Sequence, residues 1–125
     1  MTAADGRVYW IEHKGVRILF HDFSNIQNVD EAVEVVRAAA GPMRSCPPGS
    51  VLALTNVSGS RFNKRVLDAV VELTRGNKPF VKASVIVGLS GLTRAAYIMV
   101  GRMTGRAIHA VNTVEEAKDW LAERQ

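Results

Sequence analysis

The feature that most constrains the fold is a regular alternation of short apolar runs with longer segments of helical spacing. Two apolar runs lie within residues 8–23, separated by Lys14-Gly15. Glycine supplies the positive φ that a tight hairpin turn needs. Further apolar runs follow at residues 51–55, 81–89 and 107–111, each of a length typical of a buried strand. We therefore predict five strands, the first two of which pair as a hairpin.

Four segments have the apolar periodicity of helices, and they cover residues 29–40, 63–75, 93–103 and the stretch after Thr113. Asn28 precedes the first helix as a plausible N-cap. Thr113 and Glu116 form a capping box at the start of the last helix. Gly41-Pro42 predicts the end of the first helix, because glycine favours the left-handed cap and proline blocks continuation.

Strands that alternate with helices favour parallel pairing through right-handed crossovers. The predicted fold class is α/β, a mixed five-stranded sheet with four helices. Its N-terminal hairpin is antiparallel and the remaining strands are mainly parallel. Since 125 residues suffice for one core and no repeat or linker interrupts them, residues 1–125 are expected to form a single domain.

Three stretches resemble SpoIIAA-like proteins, which belong with the STAS domains of sulfate transporters and anti-sigma-factor antagonists. They are FHDFS at 20–24, VKASVIVGLSGL at 81–92 and EAKDWL at 116–121. The resemblance implies the STAS fold, with a likeness to the lipid-binding CRAL–TRIO fold, over nearly the whole chain. It implies little about function, because one fold hosts many functions.

Partner-switching STAS proteins carry an Asp-Ser-Ser-Gly-Leu type of turn in which a kinase phosphorylates one serine, and the added charge breaks a protein complex. The corresponding residues 56–63 read NVSGSRFN. Two serines and a glycine are present, but the Asp-Ser-Ser-Gly string is not. The phosphorylation switch of the family is therefore not carried over to this chain.

A ligand crevice is expected beyond the carboxyl ends of the parallel strands, where open α/β sheets bind ligands. The small polar and basic residues predicted at these ends are Asp22, Ser24, Asn56, Ser58, Ser60, Arg61, Ser90 and Arg94. The two arginines lie at helix starts, where free backbone N–H groups also favour an anion. The alternative is that these side chains are turn and cap residues with no ligand.

No catalytic signature emerges from the sequence. His21 and Asp22 are adjacent in a strand and point to opposite faces, so they cannot act as a dyad. Three dispersed histidines and the single Cys46 give no metal-ligand spacing, and the cysteine is expected to be an incidental thiol. No glycine-rich nucleotide loop or nucleophile elbow occurs. We expect a protein that is not an enzyme and that needs no metal or cofactor.

Basic charge is concentrated in the middle of the chain. Residues 61–106 hold nine lysines and arginines against two acids, whereas the whole chain has a net charge of +4. An acidic protein partner or an anionic small molecule, including a lipid head group, would suit such a surface. The alternative is a solvated surface that aids solubility. No DNA-binding motif accompanies the charge.

The third predicted helix is apolar on more than one side, whereas a surface helix normally keeps a polar face. We predict that Ala96, Met99 and Met103 face inward. We also predict that Tyr97, Met99 and Met103 belong to an interface, with a homodimer as the commonest explanation. The alternative is that the helix borders a pocket for an apolar ligand.

The sequence thus predicts a non-enzymatic regulatory or protein-interaction module of STAS type. The alternative function is a carrier or sensor of a small anionic or amphipathic ligand in the strand-end crevice. The N-terminal residues lack a signal-peptide pattern and no apolar run is long enough to cross a membrane. A cytoplasmic location is expected.

Overall fold

Five strands form one mixed sheet. The computed structural model describes residues 6–60, 63–105 and 109–124. Its strands are β1 (Val8–His13), β2 (Val16–Asp22), β3 (Val51–Asn56), β4 (Val81–Val87) and β5 (His109–Val111). They lie side by side in the order β1-β2-β3-β4-β5. β1 pairs antiparallel with β2, and every later neighbour pairs in parallel. The predicted fold class is confirmed.

The hairpin turn has the backbone geometry expected from its sequence. His13 pairs with Val16, which leaves a two-residue loop. Both loop residues have positive φ, 53° at Lys14 and 76° at Gly15. Two consecutive positive φ values match the right-handed twist of the flanking strands, so this local geometry sets the register of the hairpin.

Four helices connect or follow the strands: α1 (Val29–Arg44), α2 (Lys64–Asn77), α3 (Gly91–Thr104) and α4 (Val114–Ala122). The side chains of Asn28, Asn63 and Thr113 each accept a hydrogen bond from a backbone N–H in the first turn of α1, α2 and α4. Because these N–H groups have no partner inside the helix, the caps fix where each helix begins. A short 3₁₀ turn, Lys78–Phe80, joins α2 to β4.

The predicted end of α1 at Gly41-Pro42 is wrong, since the helix continues to Arg44. Proline removes one backbone hydrogen bond from a helix, but the added turn buries Met43 to 2% exposure. Met43 packs in a cluster with Leu19 of β2 and Val51 of β3. Burial of a methionine side chain stabilises by about 1.5–3 kcal/mol, which offsets much of the proline penalty of about 3 kcal/mol.

The helices divide unequally between the two faces of the sheet. One face carries Leu19, Ala53 and Ser84 in register, and the helices α1, α2 and α3 supply the core above it. The other face carries residues such as Phe20, and α4 covers it with Ala117 and Leu121. The two-residue period of the strands thus divides the core into two layers.

Candidate functional site

Asp22 closes the β2 strand end as a local structural group. Its Oδ1 atom accepts a hydrogen bond from the backbone N–H of Ser24 at 2.9 Å and another from the Ser24 hydroxyl. Arg7 lies 3.8 Å from the same oxygen and donates to the carbonyls of both residues at 3.1 Å. Arg7 also donates to Glu31 of α1 at 3.2 Å. The cluster anchors the loop after β2 to the start of α1.

The loop after β3 is bonded to the loop after β2. Asn56 Oδ1 accepts from the Ser58 N–H at 3.1 Å, which closes a local turn. The Phe23 N–H donates to the Asn56 carbonyl, and the Asn25 N–H donates to the Ser58 carbonyl, each at 2.8 Å. The Ser60 hydroxyl donates to the Phe23 carbonyl. The polar groups that the sequence places at this edge are therefore brought together, and they bond largely to neighbouring loops.

Ser90 and Arg94 have a different environment from the other candidate crevice residues. Ser90 occupies the N-cap position of α3, is exposed, and its side chain makes no capping hydrogen bond. Arg94 is also exposed. Arg61 lies outside the described residues. A ligand crevice at this edge stays a prediction, with Ser90 and Arg94 as its solvent-facing side chains.

The inward face of α3 is not the one that the sequence predicted. Tyr97, Val100 and Thr104 are buried, whereas Met99 and Met103 are exposed. The prediction that these two methionines face inward is therefore wrong. Tyr97 packs in the core of the single chain, and an interface on this helix stays a prediction. This helix carries apolar residues on several of its sides, so their spacing alone does not determine which side packs on the core.

The outer face of α3 exposes a stripe of apolar side chains. Ile98, Met99 and Met103 are 52%, 59% and 54% exposed. The exposed Ala95 extends the stripe by one turn, because residues three and four apart are neighbours on a helix surface. We call these four residues the α3 stripe. Exposed apolar patches of this kind mark interaction sites more often than isolated apolar side chains do.

A cavity of about 60 Å³ lies between the sheet and the three-helix layer. Its walls mix apolar side chains with polar ones, and the polar ones are His21, Thr55, Thr74, Asn77, Ser84 and Tyr97. Asn77 is 1% exposed, and its amide nitrogen and oxygen have no hydrogen-bond partner among the described residues. The sequence did not reveal this site, because Asn77 precedes the turn that ends α2. The overlooked signal is the buried stripe of α2, in which Thr74 and Asn77 follow Val70 at helical spacing.

The titratable groups of this cavity are buried and lie on different elements. His21 Nδ1 is 3.2 Å from Thr55 Oγ1. Burial raises the pKa of Tyr97 because the phenolate form would lose its hydration. Asp22, the neighbour of His21, bonds within the strand-end loop instead. The two residues thus serve separate sites, as their opposite strand faces predict.

A surface groove adjoins the cavity between α1 and α2. Its volume is about 290 Å³, and its edges include Arg37, Arg44 and Glu72. Val36 and Leu73 line both the groove and the cavity. These two side chains therefore lie between the groove and the cavity.

The candidate metal ligands and the single cysteine are dispersed in the described part of the chain. No group of three or more histidine, cysteine or acidic side chains there is placed to hold a metal ion. Cys46 is a half-buried free thiol that donates to the Pro42 carbonyl at 3.4 Å.

The arrangement of strands and helices matches a solved structure. That structure is an uncharacterized protein from the DUF3478 family with a SpoIIAA-like fold from Shewanella loihica PV-4. It has a TM-score of 0.70 and 12% sequence identity, and the match covers 91% of each chain. This chain has a SpoIIAA-like fold. At this identity the likeness establishes the SpoIIAA-like fold alone, which is compatible with many functions.

Comparisons of the sequence itself identify no related protein. No protein-family model and no curated protein matches the sequence. Within the described ranges, no helix combines the length and the apolar character needed to cross a membrane.

Proposed function

We propose that this protein is a non-catalytic interaction module of STAS type that binds an acidic, amphipathic segment of another protein on the α3 stripe. The observation that carries the proposal is the exposure of three large apolar side chains on one face of one helix, at residues 98, 99 and 103. An apolar helix face of this kind packs against a partner whose apolar residues have matching spacing.

Charge determines the chemistry of the partner. Arg94 and Arg102 are exposed on the same helix as the stripe, and the first turn of α3 contains no acidic residue. A segment that brings Asp or Glu to these arginines gains complementary charge beside the apolar contact. The partner is therefore an acidic segment rather than a basic one.

A second copy of this chain is the alternative occupant. A two-fold dimer places the same patch on both sides of the contact. Pairing α3 with itself would bring the arginines of one copy near those of the other, which costs free energy. We therefore favour a different, acidic partner over the homodimer.

The strand-end geometry supports a binding role over a catalytic one. A catalytic pair built from Asp22 and a rim serine would need a carboxylate free to accept a proton. Asp22 instead accepts two hydrogen bonds from Ser24 and lies beside Arg7. These bonds commit the carboxylate to closing the loop after β2.

Two designed peptides test the proposal. Both are amphipathic helices with the same leucines, and one carries glutamates where the other carries lysines. We expect the glutamate peptide to shift the NMR methyl signals of Ile98, Met99 and Met103, and to do so less at high salt. The lysine peptide should leave them unchanged.

Matched variants separate the α3 stripe from other exposed apolar groups. Met99→Ser combined with Met103→Ser should abolish the shift of the Ile98 methyl signal without loss of stability, because both replaced side chains are exposed. Tyr9→Ser changes an exposed aromatic residue on β1, and this variant should keep the shift of the Ile98 methyl signal.

Equal shifts from both peptides would contradict the charge argument. Light scattering that shows a dimer lost in the double methionine variant would assign the stripe to the homodimer instead.

A further inference from the structure

The inner face of α2 ends in polar residues where a core helix would be expected to stay apolar. Val66, Val70, Thr74 and Asn77 form its buried stripe. The Asn77 side chain is 1% exposed. Its amide nitrogen and its amide oxygen both lack a partner in the part of the chain that the structure describes. A buried carboxamide in this state destabilises the fold, so the position of Asn77 calls for a functional explanation.

Asn77 lines the interior cavity together with the hydroxyl-bearing Thr55, Thr74 and Ser84. The cavity measures about 60 Å³. One water molecule needs about 10–15 Å³ on the same measure. The space therefore suits a ligand of about four to six non-hydrogen atoms.

The cavity walls select an uncharged ligand. Among the described residues, no lysine, arginine, aspartate or glutamate lines the space. Its titratable groups there are His21 and Tyr97, and the raised pKa of Tyr97 keeps the phenol neutral. A charged ligand would lose its hydration, and no permanently charged side chain among the described wall residues would compensate for the loss.

Asn77 selects among uncharged ligands by its hydrogen-bonding groups. A carboxamide offers donors on nitrogen and an acceptor on oxygen, side by side. The matching ligand carries an acceptor beside a donor. We propose that the cavity is a binding site for a small uncharged amide, a molecule of the carboxamide or urea type, which pairs with Asn77.

Leu73 provides the route into the site. It is half-buried, and it lies between the cavity and the open groove of about 290 Å³ between α1 and α2. Side-chain rotation at a half-buried position is fast and local. The ligand enters from the groove past Leu73, without unfolding of the sheet.

Acetamide, acetate and acetone form a matched set of probes of nearly equal size. Acetamide has both a donor and an acceptor, acetate is charged, and acetone has an acceptor alone. In NMR titrations of the whole protein we expect acetamide to shift the side-chain amide signals of Asn77 in a saturable way. Acetate and acetone should bind at least about tenfold more weakly, since each leaves a buried polar group unpaired or a charge unmatched.

Variants identify the residue that recognises the amide. Asn77→Leu removes both unpaired polar atoms, so it should melt at or above the wild-type temperature. Ile86 lines the same cavity, and acetamide should shift its methyl signals in the wild type but not in this variant. Asn112→Leu is the control, because Asn112 is exposed before α4, and it should keep the response. Thr74→Val removes a hydroxyl from the same wall with little change of shape and should weaken acetamide binding.

Three results would overturn the proposal. The first is wild-type protein whose Asn77 signals do not respond to acetamide, which would assign the cavity to water alone. The second is equal binding of all three probes. The third is an Asn77→Leu variant whose Ile86 methyl signals still respond to acetamide as those of the wild type do. The first two measurements use the wild-type chain, so they decide the question even if a variant fails to fold.

Discussion

Gly88 follows β4 directly and packs against Ser58 in the loop after β3. Its replacement by alanine is the sharpest test of the strand-end geometry. Gly88 has a φ of +91°, and a Cβ atom there would lie 2.3 Å from Ser58 Oγ and 2.7 Å from the Ser58 backbone nitrogen. The serine hydroxyl can rotate away, but the backbone nitrogen cannot. The Val57 N–H donates to the Val87 carbonyl at 2.9 Å directly beside this contact, which holds the two segments together.

Two costs add at this position. A left-handed backbone costs a residue with a Cβ roughly 1–2 kcal/mol. Relief of the overlap requires the loop to move, and overpacking of this kind costs about 1–3 kcal/mol. We therefore expect Gly88→Ala to lower the free energy of unfolding by about 2–5 kcal/mol, a large fraction of the roughly 5–15 kcal/mol typical of a domain.

Gly49→Ala is the matched control. Gly49 also has a positive φ, +67°, but no atom lies within 4 Å of the point that an added Cβ would occupy. Only the backbone cost of roughly 1–2 kcal/mol should appear. Urea unfolding monitored by tryptophan fluorescence would give both values, provided that the m-values agree. Equal losses in the two variants, within about 0.5 kcal/mol, would refute the reasoning, because the loop would then absorb the Cβ without cost.

Two further predictions concern α1 and α4. Gly41→Ala should gain helix propensity of about 0.5–1 kcal/mol, because Gly41 is an exposed residue within α1. The contact of the new Cβ with the ring of Pro42 offsets part of this gain, so the net stabilisation should stay below about 1 kcal/mol. A loss larger than about 1 kcal/mol in urea unfolding would contradict a continuous helix. Hydrogen bonds from His13 and Lys14 lower the pKa of Asp119. The stability from this carboxylate is therefore fully present above the ordinary Asp pKa and is lost as pH falls through the lowered value. Asp119→Asn should show a shallower loss of stability in acid, and identical acid limbs in the two proteins would count against the contact.

The order of elements could be predicted from the sequence because local signals agree with one another there. The residues that define an element lie next to it in the sequence. Lys14 and Gly15 form the hairpin turn with positive φ, and Asn28 and Thr113 cap the helices that follow them. The end of α1 was mispredicted for a non-local reason. Met43 packs on strands that are distant in sequence, and this burial outweighs the signal of Gly41-Pro42.

The candidate sites were harder to predict because they depend on orientation. The sequence placed Asp22, Asn56 and Ser60 at one edge of the sheet. In the structure their side chains bond to Ser24, Ser58 and Phe23 of the strand-end loops. The rotation of α3 about its axis decides which residues are exposed, and a helix apolar on several sides does not encode it. Asn77 is adjacent to a turn in the sequence, so its polarity suggested a helix end rather than a cavity wall.

The order of strands in the sheet has a consequence for how the chain can fold. Each strand lies beside the one that precedes it in the sequence, so every new strand can join the edge that was formed last. Such stepwise growth favours short-range contacts, which speed folding, and it suits synthesis from the N-terminus onward. The helix α4 contacts all five strands and comes last. The sheet therefore grows with one face uncovered, and that face is closed only when the final helix arrives.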